Sequence, residues 1–221
     1  MTELGGKSID LVFTDPPYYD AVEKLNYHKQ RSVTKLGVKT RSYKKFNNWK
    51  VPKNNVYQEL LRISKEQIIC GINYFSDFVD VPSGRIIWDK KRSGRLPFSD
   101  AEIASVSMIE TVKMYRFRWD GMLQEDMKNK ENKFHPTQKP VKLMCDILRD
   151  FSKDGQTVFD GYAGSGSFAI ACERLGLSYI GCEIEEYYFD KACRRLENEL
   201  KQPKLNLIQN QIKADQIQLN I

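Results

Sequence analysis

Apolar positions in this chain fall into short runs separated by polar or glycine-rich turns, and the spacing within each run predicts its element. Ile9 to Phe13 is apolar and β-rich, the pattern of a buried strand. Val56 to Ser64 carries Val56, Leu60, Leu61 and Ile63 at helical spacing, and Gln67 to Cys70 reads as a short strand ending at Gly71. Further strands are expected at Gly84 to Trp88 and at Ala101 to Ile109, although the Ala and Glu content of the second also suits a helix. Tyr115 to Trp119 alternates aromatics with Arg116 and Arg118, as a half-exposed strand does. Gly121 to Lys133 is polar and charged and predicts a loop. Val141, Leu143, Met144, Ile147, Leu148 and Phe151 give a strong helical period, with Thr137 and Pro140 as ordinary helix-start residues. A strand at Thr157 to Asp160, a helix from Ser167 to Leu175, a strand at Ser178 to Cys182 and a helix from Glu186 to Leu200 complete the series. Past Pro203 the chain is amide-rich, and Lys204 to Gln209 alternates enough for an edge strand.

Two strand ends carry candidate chemistry. Thr14-Asp15-Pro16-Pro17-Tyr18 follows the first strand; two prolines fix φ and remove two N–H donors, so the chain leaves the sheet at Asp15. A carboxylate then sits at a strand's carboxyl end, where open α/β sheets bind ligands, beside a ring that can stack on a planar substrate. A strand with an ordinary Pro-Pro turn is the plainer alternative. The second site is Phe159-Asp160-Gly161 through Gly164 and Gly166, a glycine turn between strand and helix, with Glu183 at the end of the next strand, 22 residues after Gly161. That is the nucleotide-binding βαβ pattern: the glycines let backbone approach the ligand, and the acid accepts from ribose hydroxyls. The Gly-x-x-Gly-x-Gly spacing disfavours a dinucleotide enzyme, and there is no P-loop lysine.

The 221 residues suit one domain with sizeable loops. Net charge is only +6, yet Val22 to Lys53 holds ten Lys or Arg against Glu23, a local +9 that leaves the rest at −3. Interleaved with Tyr27, Tyr43, Phe46 and Trp49, this segment reads as a basic loop or insertion at about 20–55, suited to phosphate contacts and base stacking. A merely solvated charged loop is the alternative. Five scattered cysteines and two histidines support neither a disulfide framework nor a metal site. No apolar run approaches a membrane span and no signal segment opens the chain, so a cytoplasmic protein is expected.

Together these stretches resemble the DNA amino-methyltransferases dependent on S-adenosyl-L-methionine (SAM), in the permuted class whose catalytic motif precedes the cofactor motif. The matching pieces are Asp15-Pro16-Pro17-Tyr18, Ile87-Trp88-Asp89-Lys90, His135 to Pro140, Phe159 to Gly166 and Glu183. The resemblance implies an α/β, Rossmann-like methyltransferase fold with a circularly permuted, mostly parallel seven-stranded sheet, in a single domain over 1–221. Members usually carry a strand before the catalytic one, so the tail near Leu205 to Ile208 is expected to complete the sheet. No large target-recognition domain separates the Trp88 region from His135. Recognition would therefore fall to loops at 20–55, 89–97 and 120–134, which implies a short or relaxed target site.

By the same resemblance, Asp15 and the Pro16 carbonyl accept the N–H groups of a target amine, and Tyr18 stacks on a base flipped from duplex DNA. Pro17 completes that catalytic motif. The cofactor's methionine portion lies along Phe159 to Gly166, with Asp160 near its amine and Asp15 close by. Thr137 and Lys139 lie near its carboxylate and Glu183 holds the ribose. The sulfonium methyl is already activated, so the chemistry needs neither metal nor covalent nucleophile. Asp before Pro-Pro-Tyr favours N6 of adenine over N4 of cytosine by family habit. RNA or protein-amide methylation and an inactive DNA-binding subunit are the remaining alternatives. The resembling class is bacterial or phage-like, often dimeric, and in some settings works beside a restriction nuclease.

Overall fold

The structure, a computed structural model, describes residues 3–18, 43–46, 49–75, 77, 79–92, 99–120 and 123–202. Among these, seven strands form one sheet: β1 (Ile9–Thr14), β2 (Ser64–Cys70), β3 (Arg85–Asp89), β4 (Ala101–Val106), β5 (Val112–Arg116), β8 (Thr157–Asp160) and β9 (Ser178–Gly181). The order across it is β5-β3-β4-β2-β1-β8-β9. All neighbours are parallel except β4, which runs against both β2 and β3. The expected mostly parallel, rearranged seven-stranded sheet is therefore present. A two-stranded ribbon, β6 (Trp119–Asp120) with β7 (Leu123–Gln124), lies outside it. The strand expected near Leu205 to Ile208 falls outside the described residues, as do residues 19–42 of the basic segment and 93–98 of the loop after β3.

β1 is central, and its residues are buried on both sides. Leu11 and Phe13 join the cluster beneath α2 (Val141–Phe151) and α3 (Ser167–Leu175), where Phe13 meets Phe168 edge-on at 4.4 Å. Val12 joins the opposite cluster with Tyr57, Leu60 and Ile63 of α1 (Asn54–Ile63). Apolar residues on both faces are what two helix layers demand, which is why the run reads as continuous rather than alternating. The chain passes from β1 through α1 to β2 on one side, and from β8 through α3 to β9 on the other. β1 and β8 are neighbours, so the connections diverge between their carboxyl ends and open a crevice there.

Two local readings differ from the sequence expectation. β4 ends at Val106, not Ile109, and its ladder with β2 and β3 rules out the helical option. The strand expected at Tyr115 to Trp119 is β5, which starts earlier and stops at Arg116. Trp119 leaves the sheet because its buried indole N–H donates to the Gln138 carbonyl at 2.8 Å, just as Trp88 donates to the Phe117 carbonyl. The polar stretch before His135 is pinned through Glu131, whose carboxylate accepts from the Val141 N–H at the start of α2 and from Arg195 on α4 (Glu186–Leu200).

Candidate active site

Asp15 leaves β1 at the crevice and there meets Lys139, which the chain brings in just before α2. The Lys139 ammonium bonds the Asp15 carboxylate, and the Tyr18 hydroxyl donates to the same carboxylate. Lys139 also lies 3.1 Å from Glu102 on β4, and Glu102 pairs with Lys90 at 2.7 Å. These side chains are largely enclosed, at 7% exposed for Lys139 and 12% for Asp15. Burial pushes the Asp15 carboxyl up, against the pull of Lys139. Burial also opposes charge on Lys139, but Asp15 and Glu102 outweigh it and hold the ammonium above its ordinary range. For Glu102 burial acts upward too, and Lys139 with Lys90 overcomes it, holding the carboxyl at about 2.

Tyr18 packs its ring parallel to Tyr74, with centroids 5.1 Å apart, while Tyr74 itself is 45% exposed. The ring lies flat over Gly71, where an added Cβ would come within 2.0 Å of it and φ is +69°. Only glycine satisfies both demands. Gly71→Ala is expected to cost about 1–3 kcal/mol in urea unfolding from backbone strain alone and to displace Tyr18; wild-type stability would show that Gly71 does not hold the left-handed conformation.

The second wall is the glycine turn. Asp160 is fully buried and accepts from Thr14 Oγ1 at 2.7 Å and from the Tyr162 N–H at 2.9 Å, which ties the ends of β8 and β1 together. Burial raises its carboxyl to about 7. Gly166 has φ +71° and faces Ala192 of α4, where a Cβ would come within 3.0 Å, so glycine lets α3 start close against α4. Arg195 braces the turn by donating to the Ser165 carbonyl and to Ser167 Oγ. Glu183, just past β9, accepts from the Gly164 N–H at 2.8 Å and from the Glu185 N–H at 2.9 Å. Each carboxylate oxygen keeps a lone pair for a ligand hydroxyl.

Between the walls lies a cleft of about 670 Å³, open to solvent. Of the residues expected at the site, Asp15, Pro17, Thr137, Lys139, Gly164 and Glu183 line it. Pro16, Phe159, Asp160 and Gly166 are buried behind its walls; Gly161 and Tyr18 are partly buried beside it. Lys139, expected near a ligand carboxylate, here faces Asp15 and Glu102. Phe46 and Trp49, first read as base-stacking residues of the basic segment, form a cleft wall. Phe46 stacks on Tyr188 at 4.8 Å and meets His135 edge-on, and Tyr188 donates to the Lys44 carbonyl. His135, lowered to about 3 by burial and by Lys139, is a neutral ring that contacts Thr137. Glu102 was missed: it is the second residue of a strand with no other charge, and no local motif marks it.

A family model described as DNA methylase matches residues 37–194. The type II methyltransferase M2.DpnII of Streptococcus pneumoniae is 37% identical over 81 residues, covering 37% of this chain, which spans 30% of that relative's length. The solved M1.HpyAVI-SAM complex shares 24% identity at a TM-score of 0.52, over 86% of this chain and 90% of that one. PvuII DNA methyltransferase, cytosine-N4-specific, shares 14% identity at a TM-score of 0.55, over 88% and 81%. At these identities the two structures establish a common fold, that of the Rossmann-like methyltransferases.

Proposed function

The chain belongs to the DNA methylase family, and on that premise we propose that it transfers a methyl group from SAM to N6 of adenine in DNA. The observation that carries this reading is that the Asp15 carboxylate and the Glu183-anchored glycine turn line one cleft. An amine acceptor site and a nucleoside site must share a cleft if a methyl group is to pass between them without escaping to water.

The cleft's residues fit SAM. Glu183 offers two carboxylate lone pairs to ribose hydroxyls, the Phe46 and Trp49 rings give an apolar wall for a purine, and the turn's backbone borders the remaining length. The M1.HpyAVI structure, solved with SAM on the same fold, supports that choice. SAM bound there supplies a sulfonium methyl group.

The protein's part is to make a poor nucleophile serviceable. The exocyclic amine of adenine has its lone pair delocalised into the ring. If Asp15 and the Pro16 carbonyl each accept one N–H, the nitrogen is drawn toward tetrahedral geometry with its lone pair free for attack. Positioning and fixed charge then lower the barrier. Pro16 and Pro17 fix the backbone that presents these acceptors. The Tyr18 ring, seated over Gly71 and stacked on the half-exposed Tyr74, would stack on a flipped base in place of Tyr74. The amine's proton can leave after transfer, so Asp15 need not act as a full base.

In this reading one catalytic domain carries the activity, with loops at 20–55, 89–97 and 120–134 reading DNA. A type II methyltransferase among the relatives supports a restriction and modification setting, and DNA as substrate supports a cytoplasmic one. No helix among the described residues is long and apolar enough to cross a membrane. N4 of cytosine is the second reading, favoured by the fold shared with the cytosine-N4-specific PvuII enzyme.

The test is methyl transfer from labelled SAM to unmethylated duplex DNA, followed by nucleoside digestion and mass analysis. N6-methyladenine is the expected product. N4-methylcytosine would keep the mechanism and change the base, while label appearing only in RNA or protein, or nowhere, would overturn the proposal.

A further inference from the structure

Asp15 is not free to accept a substrate amine as it stands, because Lys139 and Tyr18 already donate to it. On the reading of Asp15 given above, we propose that Glu102 is a positioning residue: it receives the Lys139 ammonium when the substrate amine takes the lysine's place at Asp15.

The geometry for that exchange is already present. Lys139 is 7% exposed, and an enclosed ammonium needs a counter-charge at every stage, so it cannot simply retire toward water. Glu102 Oε2 is buried and lies 3.1 Å from Lys139 Nζ, so the two already form an ion pair beside the one at Asp15. A small rotation of the flexible lysine end would tighten that pair as Asp15 is given up. Glu102 Oε1 is meanwhile held at 2.7 Å by Lys90, which fixes the carboxylate while its other oxygen faces Lys139. Two lysines face two carboxylates in this cluster, so moving Lys139 from one acid to the other leaves its net charge unchanged.

The topology explains why a residue with no motif reaches the site. β4 is the reversed strand, so its amino end lies at the same sheet edge as the carboxyl ends of β1 and β3. Its register sets Glu102 opposite Trp88 and Ala101 opposite Asp89, the residue before Lys90. One strand thus delivers an acid to the edge where its neighbours deliver Asp15 and Lys90.

The groups that bear on Asp15 electrostatically are Lys139, Glu102, Tyr18, Cys70 and Asp160. Burial, with Asp15 next, pushes both the Tyr18 hydroxyl and the Cys70 thiol well above their ordinary values, so both stay neutral near pH 7. Asp160 titrates near 7 but is common to wild type and any Glu102 variant. A difference between them therefore reports Glu102. Its negative charge raises the Asp15 carboxyl, so a neutral Gln should lower it, and the acid limb of the activity profile should move to lower pH.

The test compares wild type, Glu102→Gln and Glu102→Asp as full chains on unmethylated duplex DNA, after thermal unfolding shows that each variant is folded. For Glu102→Gln, kcat is expected to fall between about tenfold and a hundredfold, with KM for SAM unchanged. The acid limb should move down by about one pH unit. Glu102→Asp, which keeps the charge, should recover part of the lost kcat. A folded Glu102→Gln with wild-type kcat, or a loss of kcat without a moved limb and without rescue, would overturn the proposal. Carboxyl carbon NMR of Asp15 in the free protein reads the same shift without turnover. A lowered Asp15 midpoint in Glu102→Gln with no wild-type methylation would sink the DNA reading alone, whereas an unmoved midpoint sinks the role of Glu102.

Discussion

Asp15→Ala is expected to lower methyl transfer by at least about 10³-fold at saturating SAM and DNA, since on the proposed reading it removes the charged acceptor of the target amine. Cofactor affinity should stay largely intact, because the wall that carries Glu183 and the glycine turn does not depend on the lost carboxylate. The fold should also survive. Lys139 would lose one counter-ion but keep Glu102 at 3.1 Å, so no buried cation is stranded. Asp15→Asn is the sharper companion. It keeps the volume and one acceptor but replaces the other with a donor amide that faces the incoming N–H, and it too should be nearly inactive. Single-turnover kinetics with labelled SAM, beside calorimetry of SAM binding, separates the outcomes. Normal turnover in either variant would remove Asp15 from the chemistry. Lost SAM binding in both would move Asp15 from the amine to the cofactor.

How much of this was legible in the sequence depends on how local each signal is. The βαβ unit from Thr157 to Gly181 matches its expected elements to within a residue, because periodicity and glycine turns act over a few neighbours. β1 and its Pro-Pro exit were equally local. The end of β5 was not, because Trp119 is drawn out of the sheet by a carbonyl 19 residues away. At the site, Asp15, Lys139, Gly164 and Glu183 could be named in advance because motif residues carry them. Phe46 and Trp49 could be named as aromatics in a basic segment, but their wall exists only through Tyr188 on α4 and His135 before α2. Lys139 shows the limit most plainly. Its partners come from β1 and β4, distant in sequence, and no spacing rule could pair it with Glu102 rather than with a ligand carboxylate.

Glu183→Ala is expected to produce the opposite kinetic signature from Asp15→Ala. A hydrogen bond to a charged group contributes about 1.5–3 kcal/mol, so losing the acceptor proposed for two ribose hydroxyls should weaken SAM binding by on the order of 10²-fold. The chemical step is untouched by the argument, so kcat at saturating SAM should return toward wild type while KM for SAM rises. Gln should not rescue it. Glu183 already accepts from two backbone N–H groups, those of Gly164 and Glu185. The donor end of a Gln amide would point at one of them, and the turn would lose an anchor along with the ligand. Asp keeps the charge but is one methylene shorter, so it should recover only part of the affinity. Calorimetric titration of SAM into each variant reads this directly, and it needs no DNA substrate. Unchanged affinity in Glu183→Ala would withdraw the ribose role and leave Glu183 as a brace for the glycine turn, whereas a lost kcat that excess SAM cannot restore would link the turn's geometry to methyl transfer itself.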